Sequence, residues 1–365
     1  MYSRRDVLKT AVAMPALLGA QSPNDTVRVA VIGVGNRGAY DLKSMLKVAG
    51  VKIIALCDLD AERLDKAKSA VSETTGDEPA TYTDFRKMLD ERKDIDVTLI
   101  ATPVDTHKMI AIDALELGTS VYCEKPMATT PEEVRLMVAA AKTAKGIFQA
   151  GFQLRHDPRR KRSIEFIHSG GIGDLVFLQG YRHTGDLPHN TPWYFDRVRS
   201  GDNIVEQACH ILDLFTWTAG RHPLRAFGSG GINYFKNVPP GRTTMDNYAV
   251  IYEFPDDLRL EFSHIYFDPP GFSGIKERVY GANGAIDLAT ATWMERDKKG
   301  EIALEVPNAA EDSTFLSLQA FIENARDHKQ PLNNAESAAM STLVAMLGRK
   351  AIYEKRVVSW EEIAG

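Results

Sequence analysis

Two hydrophobic rhythms divide the chain. In the first, short apolar runs rich in β-branched residues, at 27–32, 51–57, 95–101, 119–123 and 147–152, are separated by stretches with helical spacing. Continuous apolar runs of this length predict strands covered on both faces, and their alternation with helices predicts a parallel sheet with crossover connections. The intervening helices are predicted over 60–71, 85–89 and 107–117, with Asp84 as an N-cap and Gly118 as a C-cap. Thr130-Pro131-Glu132-Glu133 is a capping box with proline at the first helical position. In the second rhythm, apolar and polar residues alternate over 175–181, 247–254, 258–267 and 276–280, which predicts strands of a mostly antiparallel sheet with one covered face. Pro255-Asp256-Asp257 reads as a hairpin turn, and 315–324 and 336–353 as closing helices. The fold class is α/β: a doubly wound parallel sheet over 24–150, then a second α/β domain over 151–365, with the boundary near Gly151.

The first apolar run leads into Gly33-Val34-Gly35-Asn36-Arg37-Gly38. A buried strand that turns through G-x-G-x-x-G into a helix offers free N–H groups to a pyrophosphate. Gly33 permits the turn, Gly35 lets a phosphate approach the backbone, and Gly38 lets helix and strand pack closely. The second strand ends on Asp58, where a carboxylate can accept hydrogen bonds from ribose hydroxyls. Asp58 also repels a 2′-phosphate, and Leu59 beside it supplies no base, so NAD(H) is favoured, while Arg37 leaves NADP(H) open.

Composition narrows the partners. A chain of 365 residues suggests about two domains, each able to bury a core without disulfides or metal. The net charge of −5 and the lack of a basic run interleaved with aromatics exclude a nucleic-acid surface. Cys57, Cys123 and Cys209 are odd in number, widely spaced and set among apolar residues, as buried thiols are. Residues 1–20 stand apart: Ser3-Arg4-Arg5-Asp6-Val7-Leu8-Lys9, then a small-residue apolar stretch too short to span a bilayer, then Leu18-Gly19-Ala20. This resembles a twin-arginine export signal, with Val7 where that pattern usually has Phe. The alternative is a cytoplasmic tail. The resemblance implies an exported, periplasmic protein that folds around its nucleotide before crossing the membrane, keeps it tightly bound, and has no membrane span once the signal is removed.

The glycine fingerprint, Ala101-Thr102-Pro103 with His107 behind it, Glu124-Lys125-Pro126 and a later helix carrying His210 together resemble the Gfo/Idh/MocA family of nicotinamide-dependent sugar and polyol oxidoreductases. The resemblance implies a Rossmann half and an α/β half whose open sheet often mediates oligomers, with hydride transfer in the cleft between them. It implies a cofactor site of Gly33, Gly35, Asn36, Arg37, Gly38, Asp58, Thr102, Pro103, His107, Glu124 and Lys125.

Lys125 ends a strand, where an ammonium can hydrogen-bond a reacting oxygen and stabilise alkoxide character; the family gives its lysine that role. Glu206 and His210 are four apart, a spacing that on one helix puts both on one face and lets the carboxylate orient the imidazole as general base or acid. Family members commonly have Asp where Glu206 stands. Residues 155–194 supply polar and aromatic groups suited to a carbohydrate: Arg155, His183, Asn190 and Trp193, with His156, Arg182, His189 and Tyr194. The spacing of His183, His189 and His210 fits no metal motif, so no metal is expected. Three functions fit: a dehydrogenase of a sugar, glycoside or polyol; a glycosidase that oxidises transiently, eliminates and re-reduces with the same NADH; and a sugar-sensing protein without turnover. In each the partner is a small carbohydrate.

Overall fold

The computed structural model describes residues 26–185 and 191–365; residues 1–20, on which the expectation of an export signal rests, and His189 and Asn190 lie outside them. The first sheet contains β1 (Val27–Ile32), β2 (Val51–Cys57), β3 (Ala80–Tyr82), β4 (Val97–Ile100), β5 (Ser120–Cys123) and β6 (Phe148–Ala150). All pairings are parallel, in the order β3-β2-β1-β4-β5-β6. The order reverses between β1 and β4, which opens a crevice at the carboxyl ends of these strands. The caps match the sequence expectations: Asp84 accepts from Arg86 N, Thr130 accepts from Glu133 N, and Gly118 ends its helix at φ +92°.

The second sheet adds β7 (Leu175–His183), β8 (Arg225–Gly231), β9 (Asn247–Glu253), β10 (Arg259–Ile265), β11 (Gly274–Gly281), β12 (Gly284–Asp287), β13 (Thr292–Glu295), β14 (Ile302–Ala303) and β15 (Val358–Ser359). Its order is β14-β13-β12-β11-β7-β10-β9-β8-β15, antiparallel throughout except for the β7–β10 pair. Asp256 and Asp257 both adopt positive φ and close the β9–β10 hairpin. Leu178 and Gly180 on β7, and Leu260, Phe262 and His264 on β10, lie on the covered side. The helix Cys209–Ala219 lies there, with Phe215 against Gly180 so closely that a Cβ on that glycine would meet its ring at 2.5 Å. No helix of the described residues is long and apolar enough to cross a membrane.

The chain does not leave the first sheet behind at residue 150. The helix Ser313–Asp327 returns to it and packs Leu318, Phe321 and Ile322, all fully buried, into the cluster formed by Val29, Val31, Leu56 and Leu99. Phe321 meets Tyr122 edge-on at 5.5 Å. Three such side chains contribute about 1.5–3 kcal/mol each relative to exposure, so this helix is a structural part of the first layer.

One expected ligand-binding residue belongs instead to the scaffold. Arg155 donates from Nε and Nη2 to both carboxylate oxygens of Asp213 at 2.7–3.1 Å, and from Nη1 to Leu332 O at 3.1 Å. Arg155 and Asp213 are 4% and 0% exposed at their side chains, which leaves no face for a substrate. The pair fastens the turn after β6 to the helix Cys209–Ala219 and to the loop before the helix Ala335–Glu354. Removing one partner of such a pair strands the other charge. Asp213→Ala is therefore expected to lower unfolding free energy by about 3–5 kcal/mol, read as a shift of the urea midpoint.

Candidate active site

The turn after β1 is shaped as the fingerprint requires. Gly33 sits at φ +85°, and a Cβ there would meet Ala101 O at 2.6 Å; a Cβ on Gly38 would meet Gly33 O at 1.9 Å. Gly35 differs, since a Cβ would meet only the tip of Arg63 at 3.2 Å. Gly35 also caps the helix Asn36–Met45 without a side-chain bond, so the first-turn N–H groups have no cap. Asp58 is held by backbone, accepting from Val34 N at 2.9 Å and Asp60 N at 3.0 Å, and each oxygen keeps lone-pair capacity for a ribose hydroxyl. Thr102 packs against the turn, its Cγ2 2.9 Å from where a Gly33 Cβ would stand. These residues fit a dinucleotide: an open, donor-rich turn faces a fixed carboxylate at the crevice.

Two residues expected to hold the cofactor are committed elsewhere. His107 is 1% exposed and sits between two carbonyls, with Nδ1 2.9 Å from Pro126 O and Nε2 2.9 Å from Thr102 O, so its one N–H as a neutral ring is spent inside the scaffold between the ends of β4 and β5. Burial lowers its pKa. Arg37 points away from the adenosine side: Nε donates to Glu124 Oε1 at 2.9 Å, and Nη2 lies 2.8 Å from Glu124 Oε1 and 3.0 Å from Asp41 Oδ1. Burial works against its charge, but the two carboxylates more than offset it and raise its pKa, while burial beside Glu124 holds Asp41 well above the usual carboxylate range. The cation that does stand at the turn is Arg63, in the first turn of the helix Ala61–Thr75. Its signal in the sequence was a basic residue five places after Asp58.

β5 delivers two opposite charges in succession. Glu124, 3% exposed, turns to Arg37 and accepts from Lys125 N at 3.1 Å. Lys125 crosses to the second half of the chain, where Nζ donates to Glu206 Oε1 at 2.8 Å and to Glu206 O at 2.9 Å. Its side chain is 9% exposed and that of Glu206 4%. Burial would push Lys125 down, but Glu206 and the lesser contributions of Cys209, Tyr194 and Glu124 together more than offset it and hold the ammonium above the ordinary lysine range. An ammonium has three N–H bonds. Two go to Glu206, and the third has no acceptor among the described residues.

The spacing of Glu206 and His210 does not have its expected consequence. The helix Asn203–Glu206 ends there and a new one begins at Cys209, so the two residues do not share a continuous helix. Glu206 bonds Lys125 and Gln207 rather than the imidazole. His210 Nδ1 is buried without a partner. Burial, then the charges of Lys125 and Arg182, hold its pKa well below the ordinary histidine value, so the ring is neutral. Tyr194 completes the cluster: Glu206, then burial, pushes its phenol up to about 12. Trp193 stacks on Tyr194 at 4.2 Å, forming an aromatic shelf beside the Lys125–Glu206 pair. Asp105 and Arg199, 2.8 Å apart, tie the loop after β4 to the second half.

His183 is corrected as a cleft residue. Strand alternation puts it on the open face of the sheet, opposite Arg182, where it stacks on Tyr181 at 4.4 Å and meets Ser263 Oγ at 3.1 Å. His156 is also occupied, with Nε2 3.1 Å from Asn333 Oδ1.

The glycines make separable predictions. Gly35→Ala is expected to keep the wild-type unfolding midpoint and to weaken NADH binding by about tenfold or more, because the added methyl fills the phosphate approach. Gly33→Ala is expected to lower stability, since the left-handed backbone alone costs about 1–2 kcal/mol. Thermal unfolding and NADH fluorescence titration of the two variants check both.

Comparison with known proteins agrees with this geometry. Residues 27–152 match the model of the oxidoreductase family GFO_IDH_MocA, NAD-binding Rossmann fold, and residues 162–287 match the GFO/IDH/MocA C-terminal domain. The chain is 24% identical over 345 residues to a myo-inositol 2-dehydrogenase of Thermotoga maritima, covering 93% of this chain and 100% of that enzyme. It is 33% identical over 213 residues to a glycosyl hydrolase family 109 protein of Saccharopolyspora erythraea, covering 50% of this chain and 46% of that one. The crystal structure of myo-inositol 2-dehydrogenase from Lactobacillus plantarum superposes with a TM-score of 0.76 at 25% identity, over 92% of this chain and 99% of that one. With two models of one family matched over both halves, the chain belongs to the Gfo/Idh/MocA oxidoreductases, and its first domain is their NAD-binding Rossmann fold.

Proposed function

We propose that the protein moves hydride between NAD(H) and a secondary alcohol of a sugar or cyclic polyol, in an exported compartment and with its nucleotide retained. The observation that carries this reading is the pairing of opposite protonation states at one cleft: a Lys125 ammonium held charged with one N–H to spare, and a neutral His210 with an unpartnered Nδ1. The inositol dehydrogenase relative supports a polyhydroxylated ring as substrate.

Gly33, Gly35, Gly38, Asp58 and Thr102 would hold the nucleotide, which when bound supplies the hydride acceptor or donor. Lys125 directs its third N–H to the carbinol oxygen and stabilises the negative charge that develops there as hydride leaves the carbon. The neutral His210 imidazole takes the hydroxyl proton during oxidation and returns it during reduction. Glu206 keeps the ammonium in place through two bonds. The Trp193–Tyr194 shelf offers an apolar face to the ring's C–H side.

Purified protein is tested for co-purifying nucleotide and for nicotinamide absorbance against a panel of sugars, polyols and aryl glycosides. Lys125→Met is expected to lower kcat by about 10²–10³-fold and His210→Ala by about 10²–10⁴-fold, with NADH still bound. Lys125→Met also strands the Glu206 carboxylate, so the double variant Lys125→Met/Glu206→Gln should regain stability without regaining turnover. Aglycone release with no net absorbance change would favour the redox-assisted glycosidase, the activity class that the family 109 relative's name suggests.

The pH profile follows from the two shifts. A lowered histidine pKa keeps His210 in its base form down to pH values below 6.5, and a raised lysine pKa keeps Lys125 charged above 10.5. The kcat/KM for alcohol oxidation is therefore expected to be level between these two values, falling only on the acid side of the first and the alkaline side of the second. A rate that climbs through pH 7–8 would assign the proton to another group.

A further inference from the structure

Most buried cations of the cleft and its walls have a carboxylate partner. Lys125 has Glu206, Arg37 has Glu124 and Asp41, Arg155 has Asp213, and Arg160 has Glu277 at 2.7 Å. Arg182 has none among the described residues. It is the last residue but one of β7, on the covered face, where its Nη2 donates to Gln207 Oε1 at 3.2 Å, and its Nε is buried with no acceptor among the described residues. Gln207 in turn donates to Glu206, so Arg182 stands at the end of a chain that runs through Glu206 to Lys125.

Beside it in register on β10 is His264, 0% exposed. Its Nδ1 faces the hydroxyls of Tyr248 at 2.9 Å and Tyr266 at 3.2 Å, while its Nε2 has no partner. Burial first, then Arg182, holds this ring neutral. The covered face thus presents two neighbouring side chains with unspent nitrogens and one net positive charge between them. A half-buried guanidinium without an anion is costly unless a ligand supplies one. Its planar fork suits a carboxylate, and a single charge matches a monoanion better than a phosphate dianion.

We propose that the substrate is a carboxylated sugar of the uronic or polyhydroxy acid class, its carboxylate held by Arg182 with His264 beside it. This rests on the reading of the same cleft as a sugar alcohol dehydrogenase. The carboxylate takes no part in bond making. It orients the ring so that a hydroxyl meets Lys125 and His210, the latter close enough to feel the charge of Arg182.

The test uses the full, NAD-loaded protein and matched pairs differing in one carboxylate: glucuronate against glucose, and galacturonate against galactose. Turnover and equilibrium binding by calorimetry are measured for each. In the wild type, at least one acid should exceed its neutral partner by about 30-fold or more in kcat/KM and in affinity. Arg182→Gln should shrink that ratio to about threefold or less, chiefly through KM, and Arg182→Lys should keep part of it. NADH titration of both variants confirms that the first domain is intact. No acid preference in either pair, or an equal loss on acid and neutral partners in Arg182→Gln, overturns the proposal. Acid-selective binding that Arg182→Gln abolishes, but without nicotinamide reduction, would sustain it and instead remove the dehydrogenase reading.

Discussion

A buried ammonium must be neutralised, and much of this site follows from how Lys125 meets that requirement. Adjacent residues at a strand end point to opposite sides, so Glu124 and Lys125 carry opposite charges in opposite directions. Glu124 turns back to Arg37 on the fingerprint helix, and Lys125 turns forward to Glu206 in the second half. Each half of the chain therefore supplies the counter-charge for one of two consecutive residues. The ion pairs join the glycine turn, the end of β5 and the loop of the second domain into one electrostatic unit. Burial makes that unit demanding, because losing any one member strands its partner in a poorly solvated place.

Glu206 meets the demand in a way an unbroken helix would not allow. As the last residue of a one-turn helix it has a carbonyl without an intrahelical partner, and Lys125 takes that carbonyl together with the carboxylate. The helix break that separates Glu206 from His210 is thus what makes Glu206 a two-point anchor. It also leaves the imidazole uncoupled from any carboxylate, in a field of cations that keeps it neutral. Acid and base roles at this cleft are divided by environment: one nitrogen centre is held charged by its anion, the other uncharged by burial and neighbouring positive charge.

What could be seen in the sequence was what is local in the chain. The glycine turn, Asp58, the capping box at Thr130, the Asp256-Asp257 hairpin and the opposed charges of Glu124-Lys125 are each set by neighbours a few residues away. The misassigned residues are those whose partners lie far off. Arg155 finds Asp213 58 residues on, and Arg37 finds Glu124 87 residues on, distances at which spacing carries no information. His183 was decidable, because Leu178 and Gly180 mark the covered face and parity sends Arg182 inward and His183 outward. Spacing misled at Glu206 and His210 because a four-residue interval implies a shared face only while the helix continues.

The loop that carries Glu206 is itself held under strain. Asp202, just before the short helix, adopts φ 73° and ψ 160°, a region populated almost only by glycine and costing about 1–3 kcal/mol for other residues. Its buried carboxylate accepts from Asn203 N at 2.5 Å, from Met245 N at 3.2 Å and from the hydroxyl of Tyr353. Glycine would relieve the backbone but would leave those three donors without an acceptor in a fully buried place. The strained residue therefore fixes the direction in which Glu206 leaves the turn. Through Glu206 it fixes the one free N–H of Lys125, so the donor is aimed before any substrate arrives and need not reorganise as charge develops.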